Sequence, residues 1–296
     1  MKNIVIMGAQ KAGTSSLYDW LGQHPQICSN IAVKDYHFFT NEKYFERGIE
    51  HFKSFFKKNT GNQINAFGAV NYIFFSEKAS QRLYEFDKKI KILIALRNPI
   101  KRAFSAYTYF KKNGEENSNS FMEAINKEKN SEFTTHEERG RFTYLEHGLY
   151  YKQLEPIYNK FDHAQVKIIF YEELFKEQEA KIQDVCYFLG IDPNFNFEFN
   201  HLNKTGSSRS KLANKLVYSD NIVKKGLRKI GLSSLISLEN KTKFTYWLRK
   251  ANTTSDSGPL ETLSEAEYEE LLPYFEEDTR NLSELLGQNL KEKWQF

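Results

Sequence analysis

The 296-residue sequence predicts an α/β fold, a single doubly wound domain with a central parallel sheet and a P-loop-like turn near its start. Three observations carry this. Short apolar runs suited to buried strands recur at 3–7, 66–70, 90–96 and 166–171. Segments with apolar residues at helical spacing fill the intervals between them. The first apolar run leads through a glycine-containing loop directly into a helix.

Taken in order, the first strand ends in Gly8-Ala9-Gln10-Lys11-Ala12-Gly13-Thr14-Ser15-Ser16. The helix that follows, 14–21, places Leu17, Trp20 and Leu21 on one face. A helix N-terminus offers free N–H groups and partial positive charge, so a loop with two glycines, a lysine and three hydroxyls can cradle a phosphate. An ordinary strand-to-helix turn has the same local pattern. Gly8 and Gly13 have the glycine spacing of an ATP-binding loop, but there the lysine directly follows the second glycine. Here Lys11 precedes Gly13 by two, and Thr14 occupies the lysine's place.

The strand 90–96 ends in Arg97, and Pro99 opens the helix 99–111, a position that needs no backbone N–H. Ser105 lies about two turns into that helix. An arginine at a strand's carboxyl end and a serine on the next helix can converge on one anion; alone, the arginine reads equally as a surface ion-pair partner. A nucleotide hydrolase would instead end such a strand with an Asp for Mg²⁺. Further helices are expected at 79–86, 149–159, 177–189 and 265–286. The stretch 117–136 is polar and weakly periodic and reads as a mobile loop with a short helix. Residues 217–257 carry Lys224, Lys225, Arg228 and Lys229 among apolar residues. They are expected to form an amphipathic surface helix, a cover over the site or a membrane-touching segment.

Composition narrows the class. Hydrophobic residues make up 40% of the chain, enough for a sizeable core, and 25 Phe and 17 Tyr supply much of it. A net charge of +4 suits an anionic ligand but is too weak to argue for nucleic acid. The two cysteines, Cys28 and Cys186, form neither a disulfide framework nor a metal-ligand spacing. No internal repeat or low-complexity tract is present, and no run is long enough to span a bilayer.

The loop from Lys11 to Ser16 resembles the 5′-phosphosulfate loop of sulfotransferases, K-x-G-T-[ST]-[ST]. Those enzymes use 3′-phosphoadenosine 5′-phosphosulfate (PAPS). Arg97 through Ser105 resembles their 3′-phosphate motif, R-x-P-x-x-R-x-x-S. Val33-Lys34-Asp35-Tyr36-His37-Phe38-Phe39 resembles the K-E-x-H-F-F segment of heparan-sulfate-type and related bacterial carbohydrate sulfotransferases, with Asp35 where the proposed base is Glu. His37 is the alternative base, its ordinary pKa being nearest neutrality. Asn203-Lys204-Thr205-Gly206-Ser207-Ser208-Arg209 looks like the late basic loop that closes on the 3′-phosphate. One departure stands out: Gly68-Ala69-Val70-Asn71-Tyr72 lacks the glutamate usual after that glycine.

The resemblance covers nearly the whole chain, 1–296, apart from 115–145 and 215–257, which are expected to be variable loop, lid or acceptor-side segments. It implies an enzyme that moves a sulfuryl group from PAPS to an acceptor hydroxyl on a saccharide or glycolipid, leaving adenosine 3′,5′-bisphosphate. Lys11, Ala12, Gly13, Thr14, Ser15 and Ser16 would hold the phosphosulfate; Arg97, Ser105, Lys204, Gly206 and Arg209 the 3′-phosphate; and Lys11 with Asp35 or His37 would do the chemistry. No metal is expected, since lysine, hydroxyls and N–H groups can stabilise the transferred group. The rivals are a P-loop kinase or NTPase and a non-catalytic PAPS- or anion-binding protein. A chain that begins directly with a strand is expected to be cytoplasmic and bacterial, in contrast to the anchored Golgi enzymes of animals.

Overall fold

The structure is a computed structural model and describes residues 2–130, 133–199 and 261–296, with two short strand segments between them. Five parallel strands form the sheet: β1 (Asn3–Ile6), β2 (Ile27–Lys34), β3 (Ile64–Gly68), β4 (Lys91–Leu96) and β5 (Val166–Phe170), in the order β2-β3-β1-β4-β5. β1 therefore lies at the centre, flanked by strands that come later in the chain. The chain winds outward from it first to one edge and then to the other. This reversal makes a crevice at the carboxyl ends of β1 and β4, where open α/β sheets take their ligands.

Alternation along the strands explains why both faces are covered. Val5 and Met7 of the first strand and its exit pack with Phe67, Ile92, Ile94 and Leu96 on one side. Helices α4 (Ser76–Phe86) and α8 (Tyr150–Tyr158) cover that side through Ala79, Leu83, Leu154 and Ile157. Ile4 and Ile6 face the other side with Leu17, Trp20 and Leu21 of α1 (Thr14–Leu21), and with Ile182 and Val185 of α10 (Gln178–Leu189). These core side chains are near-fully buried, each favouring the fold by roughly 1.5–3 kcal/mol for its transfer from water.

Two expectations need correction. The edge strand β2 has no clean apolar alternation, and its pairing with β3 slips between Ser29 and Lys34. A partly buried, bulged strand does not advertise itself by period. The stretch 117–136 is also more ordered than its polarity suggested. Helix α6 (Phe121–Asn130) buries Phe121, Ala124 and Ile125, an i, i+3, i+4 stripe, against α5 (Pro99–Lys112). A second helix, α7 (His136–Phe142), follows, capped by reciprocal Thr135 and Glu138 bonds.

The remaining helices are α2 (Glu42–Phe45), α3 (Ile49–Lys53), α9 (Tyr171–Lys176), α11 (Glu265–Leu286) and α12 (Leu290–Trp294). Ser207–Ser208 pairs antiparallel with Thr253–Thr254 as β6 and β7. Lys204, Gly206, Arg209 and the basic cluster at 224–229 lie outside the described residues. Cys28 and Cys186 are free, buried thiols.

Candidate functional site

The two anion motifs meet because their strands are neighbours. Pairing between β1 and β4 continues past the strand ends: the Ala9 N–H donates to the Ala95 carbonyl at 2.7 Å, and the Ala95 N–H to the Gly8 carbonyl at 2.8 Å. The loop that follows turns through Lys11 (φ 63°) and Gly13 (φ 87°) in the left-handed region. For lysine that conformation costs energy, as residues at functional sites often do. Gly13 also has no room for a side chain, since a Cβ there would sit 2.7 Å from the Phe175 ring.

Helix α1 then starts with no side-chain cap among the described residues, leaving its first-turn N–H groups to an anion. Thr14 and Ser15 line a small cleft with Asp35, Lys34 and Gly68–Val70. Ala12 and Ser16 are buried, and the Ala12 N–H is already donated to Ala9.

Arg97 is held from three directions. Its Nη1 donates to the Lys11 carbonyl at 3.2 Å, its guanidinium lies 4.3 Å from the centre of the Tyr171 ring, and its own carbonyl accepts from the Tyr150 hydroxyl at 2.9 Å. Its Nε is buried without a partner among the described residues. Asn98 locks the corner: its side chain accepts from the Ile100 and Lys101 N–H groups, and its amide donates to the Trp294 carbonyl at 2.9 Å. Ser105 is half-buried on α5. Arg102, the second arginine of the motif, is fully buried with its guanidinium on the Tyr144 carbonyl.

Lys11 is the electrostatic centre. Burial, with Arg97 and Lys112 close by, lowers its pKa to about 8, and its Nζ lies 4.3 Å from the centre of the Tyr109 ring.

On the opposite wall, Asp35 follows β2 with φ 59° and is exposed, its N–H donated to the Gly68 carbonyl at 2.8 Å. His37, two residues on, is half-buried, and its Nδ1 is out of solvent and unpartnered. Burial pushes its pKa down; Asp35 opposes this, and Arg141 adds to it. Phe38 and Phe39 are fully buried in the core.

Sequence reading missed Gln10, Asn71 and Gly140. Both amides donate to the Gly140 carbonyl, at 3.3 and 3.1 Å, which ties the phosphate loop and the β3 exit to α7. No local motif marks them, because the three segments are far apart in sequence. It also assigned no role to Tyr109, whose ring lies beside Lys11.

Among the described residues no helix is long and apolar enough to cross a membrane, and none of the His, Cys, Asp and Glu side chains gather in threes to hold a metal.

The family model described as sulfotransferase domain matches residues 1–234. Mouse heparan sulfate glucosamine 3-O-sulfotransferase 5 is 28% identical over 201 residues, covering 66% of this chain and 56% of that protein. Human bifunctional heparan sulfate N-deacetylase/N-sulfotransferase 1 is 36% identical over 112 residues, 36% of this chain and 12% of that one. The chain thus spans about half the length of the 3-O-sulfotransferase relative, and the second match covers a small part of a longer protein. A solved sulfotransferase from Alicyclobacillus acidocaldarius superposes with a TM-score of 0.70 at 24% identity, covering 100% of this chain and 99% of that one, which shows the same fold.

Proposed function

The chain belongs to the sulfotransferase-domain family, and from that premise we propose that it is a PAPS-dependent enzyme transferring a sulfuryl group to a hydroxyl of a saccharide or glycolipid. The observation that carries the reading is the junction of the two anion corners: the Arg97 guanidinium donates to the Lys11 backbone while its Nε stays buried and unpartnered. One cation faces each end of a ligand with two anionic groups. That fits a nucleotide bearing a 3′-phosphate and a 5′-phosphosulfate.

PAPS, when bound, supplies the activated sulfuryl group. This chain's own residues do the rest. The first-turn N–H groups of α1, with Thr14 and Ser15, would hold the 5′ end; Arg97 and Ser105 would hold the 3′-phosphate, with Lys204, Gly206 and Arg209 as further candidates. The Lys11 ammonium would balance negative charge developing on the leaving side. Asp35 would take the acceptor's proton, since it is exposed and lines the same cleft as Thr14 and Ser15. His37 remains the alternative base: its lowered pKa keeps the imidazole neutral and able to accept a proton at neutral pH. The heparan sulfate enzymes among the relatives support a glycan acceptor. A kinase reading is disfavoured by Arg97, a cation where a Walker-type strand carries its metal-binding carboxylate.

The test is transfer of labelled sulfate from PAPS to a panel of glycan, phenol and lipid acceptors, with and without EDTA. The expected result is a labelled glycan at a rate EDTA does not change. No transfer from PAPS, together with Mg²⁺-dependent phosphoryl transfer from labelled ATP, would favour the kinase.

A further inference from the structure

The Lys11 ammonium forms no ion pair and no hydrogen bond among the described residues. Its electrostatic neighbours are Arg97, at the end of β4, and Lys112, on α5, and both repel it. The attractive contact it makes is the ring of Tyr109, with Nζ 4.3 Å from the centroid. Tyr109 is on the same helix as Ser105, four residues on, with Lys112 three further, so all three lie along one face of α5. The ring is 37% exposed, at the rim rather than in the core. A rim tyrosine is under little packing constraint, yet this one sits where the loop's only lysine reaches out.

We propose that Tyr109 is a positioning residue for Lys11: its ring docks the ammonium, keeps it charged, and aims it along the Ser105 face of α5 before the nucleotide arrives. The proposal rests on Lys11 being the leaving-side cation. The physical reason is a balance. Burial and two neighbouring cations favour the neutral amine, and a ring face favours the ammonium. Burial, Arg97 and Lys112 lower the Lys11 pKa to about 8, and the ring 4.3 Å from Nζ is the contact that opposes them.

Two variants test this, Tyr109→Leu and Tyr109→Phe. The direct readout needs no nucleotide: the protein is reductively methylated with ¹³C-formaldehyde, and the dimethyl-Lys11 signal, assigned by its absence in Lys11→Arg, is titrated by NMR. Tyr109→Leu is expected to move the Lys11 midpoint to lower pH by about half a unit to one unit. Tyr109→Phe, which keeps the ring, is expected to leave it in place. In parallel, calorimetry follows adenosine 3′,5′-bisphosphate from about pH 6 to pH 10, and kcat/KM for PAPS reports the same free-enzyme titration. Affinity should fall earlier with rising pH in Tyr109→Leu and match wild type at the acidic end. An unchanged midpoint in Tyr109→Leu, an upward shift (the ring then acting mainly by excluding water), or a Phe variant that behaves like Leu would each overturn the docking role. If the wild type binds no adenosine 3′,5′-bisphosphate at any pH, the PAPS reading fails, and the NMR titration still decides the docking.

Discussion

The two walls of the cleft are built differently. The wall proposed to take the nucleotide comes from β1 and β4, adjacent central strands, and its parts are short-range: a loop of nine residues and a strand-to-helix corner. Its backbone is pinned by ladder bonds that continue beyond the strands, by Tyr150 on the Arg97 carbonyl and by Asn98 on Trp294. The wall proposed to face the acceptor comes from the edge strand β2, the β3 exit and α7: β2 is joined to β3 by backbone bonds as far as Asp35, and α7 is tied in by side-chain bonds to the Gly140 carbonyl, from Asn71 and from Gln10 of the phosphate loop. A central, over-determined wall suits one fixed ligand, whereas an edge wall of long-range contacts can change with the acceptor while the cofactor site stays as it is.

If the walls divide the labour in this way, substitutions on each should fail in different assays. The largest effect is expected from Asp35→Asn: a fall in kcat of about 10²–10⁴, the usual worth of a general base, with adenosine 3′,5′-bisphosphate affinity unchanged by calorimetry. His37→Ala is the counter-test. Near-normal turnover in Asp35→Asn with an inactive His37→Ala would move the base to His37.

Lys11→Ala comes next. It should reduce kcat by about 10²–10³, comparable to losing one oxyanion-stabilising donor, while the nucleotide still binds, more weakly. The pH sign follows from its pKa of about 8. The ammonium is present below that value and lost above it, so affinity for the anionic nucleotide should decline as pH rises through 8. An affinity independent of pH from about 6 to 10 would remove Lys11 from the binding wall.

The smallest effect is expected from Gly140→Ala. A Cβ there would lie 2.5 Å from the Asn71 amide nitrogen, so that side chain must shift and its bond to α7 weaken. KM for the acceptor should rise by roughly two- to fivefold, about the worth of one neutral hydrogen bond, with nucleotide affinity unchanged. A change in nucleotide affinity instead would mean that Asn71 serves both walls and that the division is wrong.

The same contrast explains what the sequence disclosed. Helices Thr14–Leu21 and Glu265–Leu286 were legible to the residue, because a strong apolar stripe is bounded by a glycine at one or both ends. Four strands were legible within one or two residues as apolar runs. β2 was not, being only partly buried, without apolar alternation, and bulged. On the nucleotide wall, Lys11, Gly13, Thr14, Ser15 and Arg97 were all readable, because each lies within a few residues of the motif that defines it. Ala12 and Ser16 came with the motif but are buried. On the acceptor wall, Asp35 and His37 were readable through one short segment. Asn71 and Gly140 were not, nor was their link to Gln10 of the phosphate loop, since what unites the three is a carbonyl contributed 69 and 130 residues away.

The most direct test of the account is calorimetric. On the proposed reading the Arg97–Ser105 corner adds contacts only to a nucleotide carrying a 3′-phosphate, so adenosine 3′,5′-bisphosphate should bind far more tightly than AMP or ATP. One charge-assisted hydrogen bond contributes roughly 1.5–3 kcal/mol, so Arg97→Ala should remove about one to two decades of that affinity and leave AMP binding nearly unaltered. Equal affinity for ATP and adenosine 3′,5′-bisphosphate, or an Arg97→Ala protein that binds all three as wild type does, would contradict it.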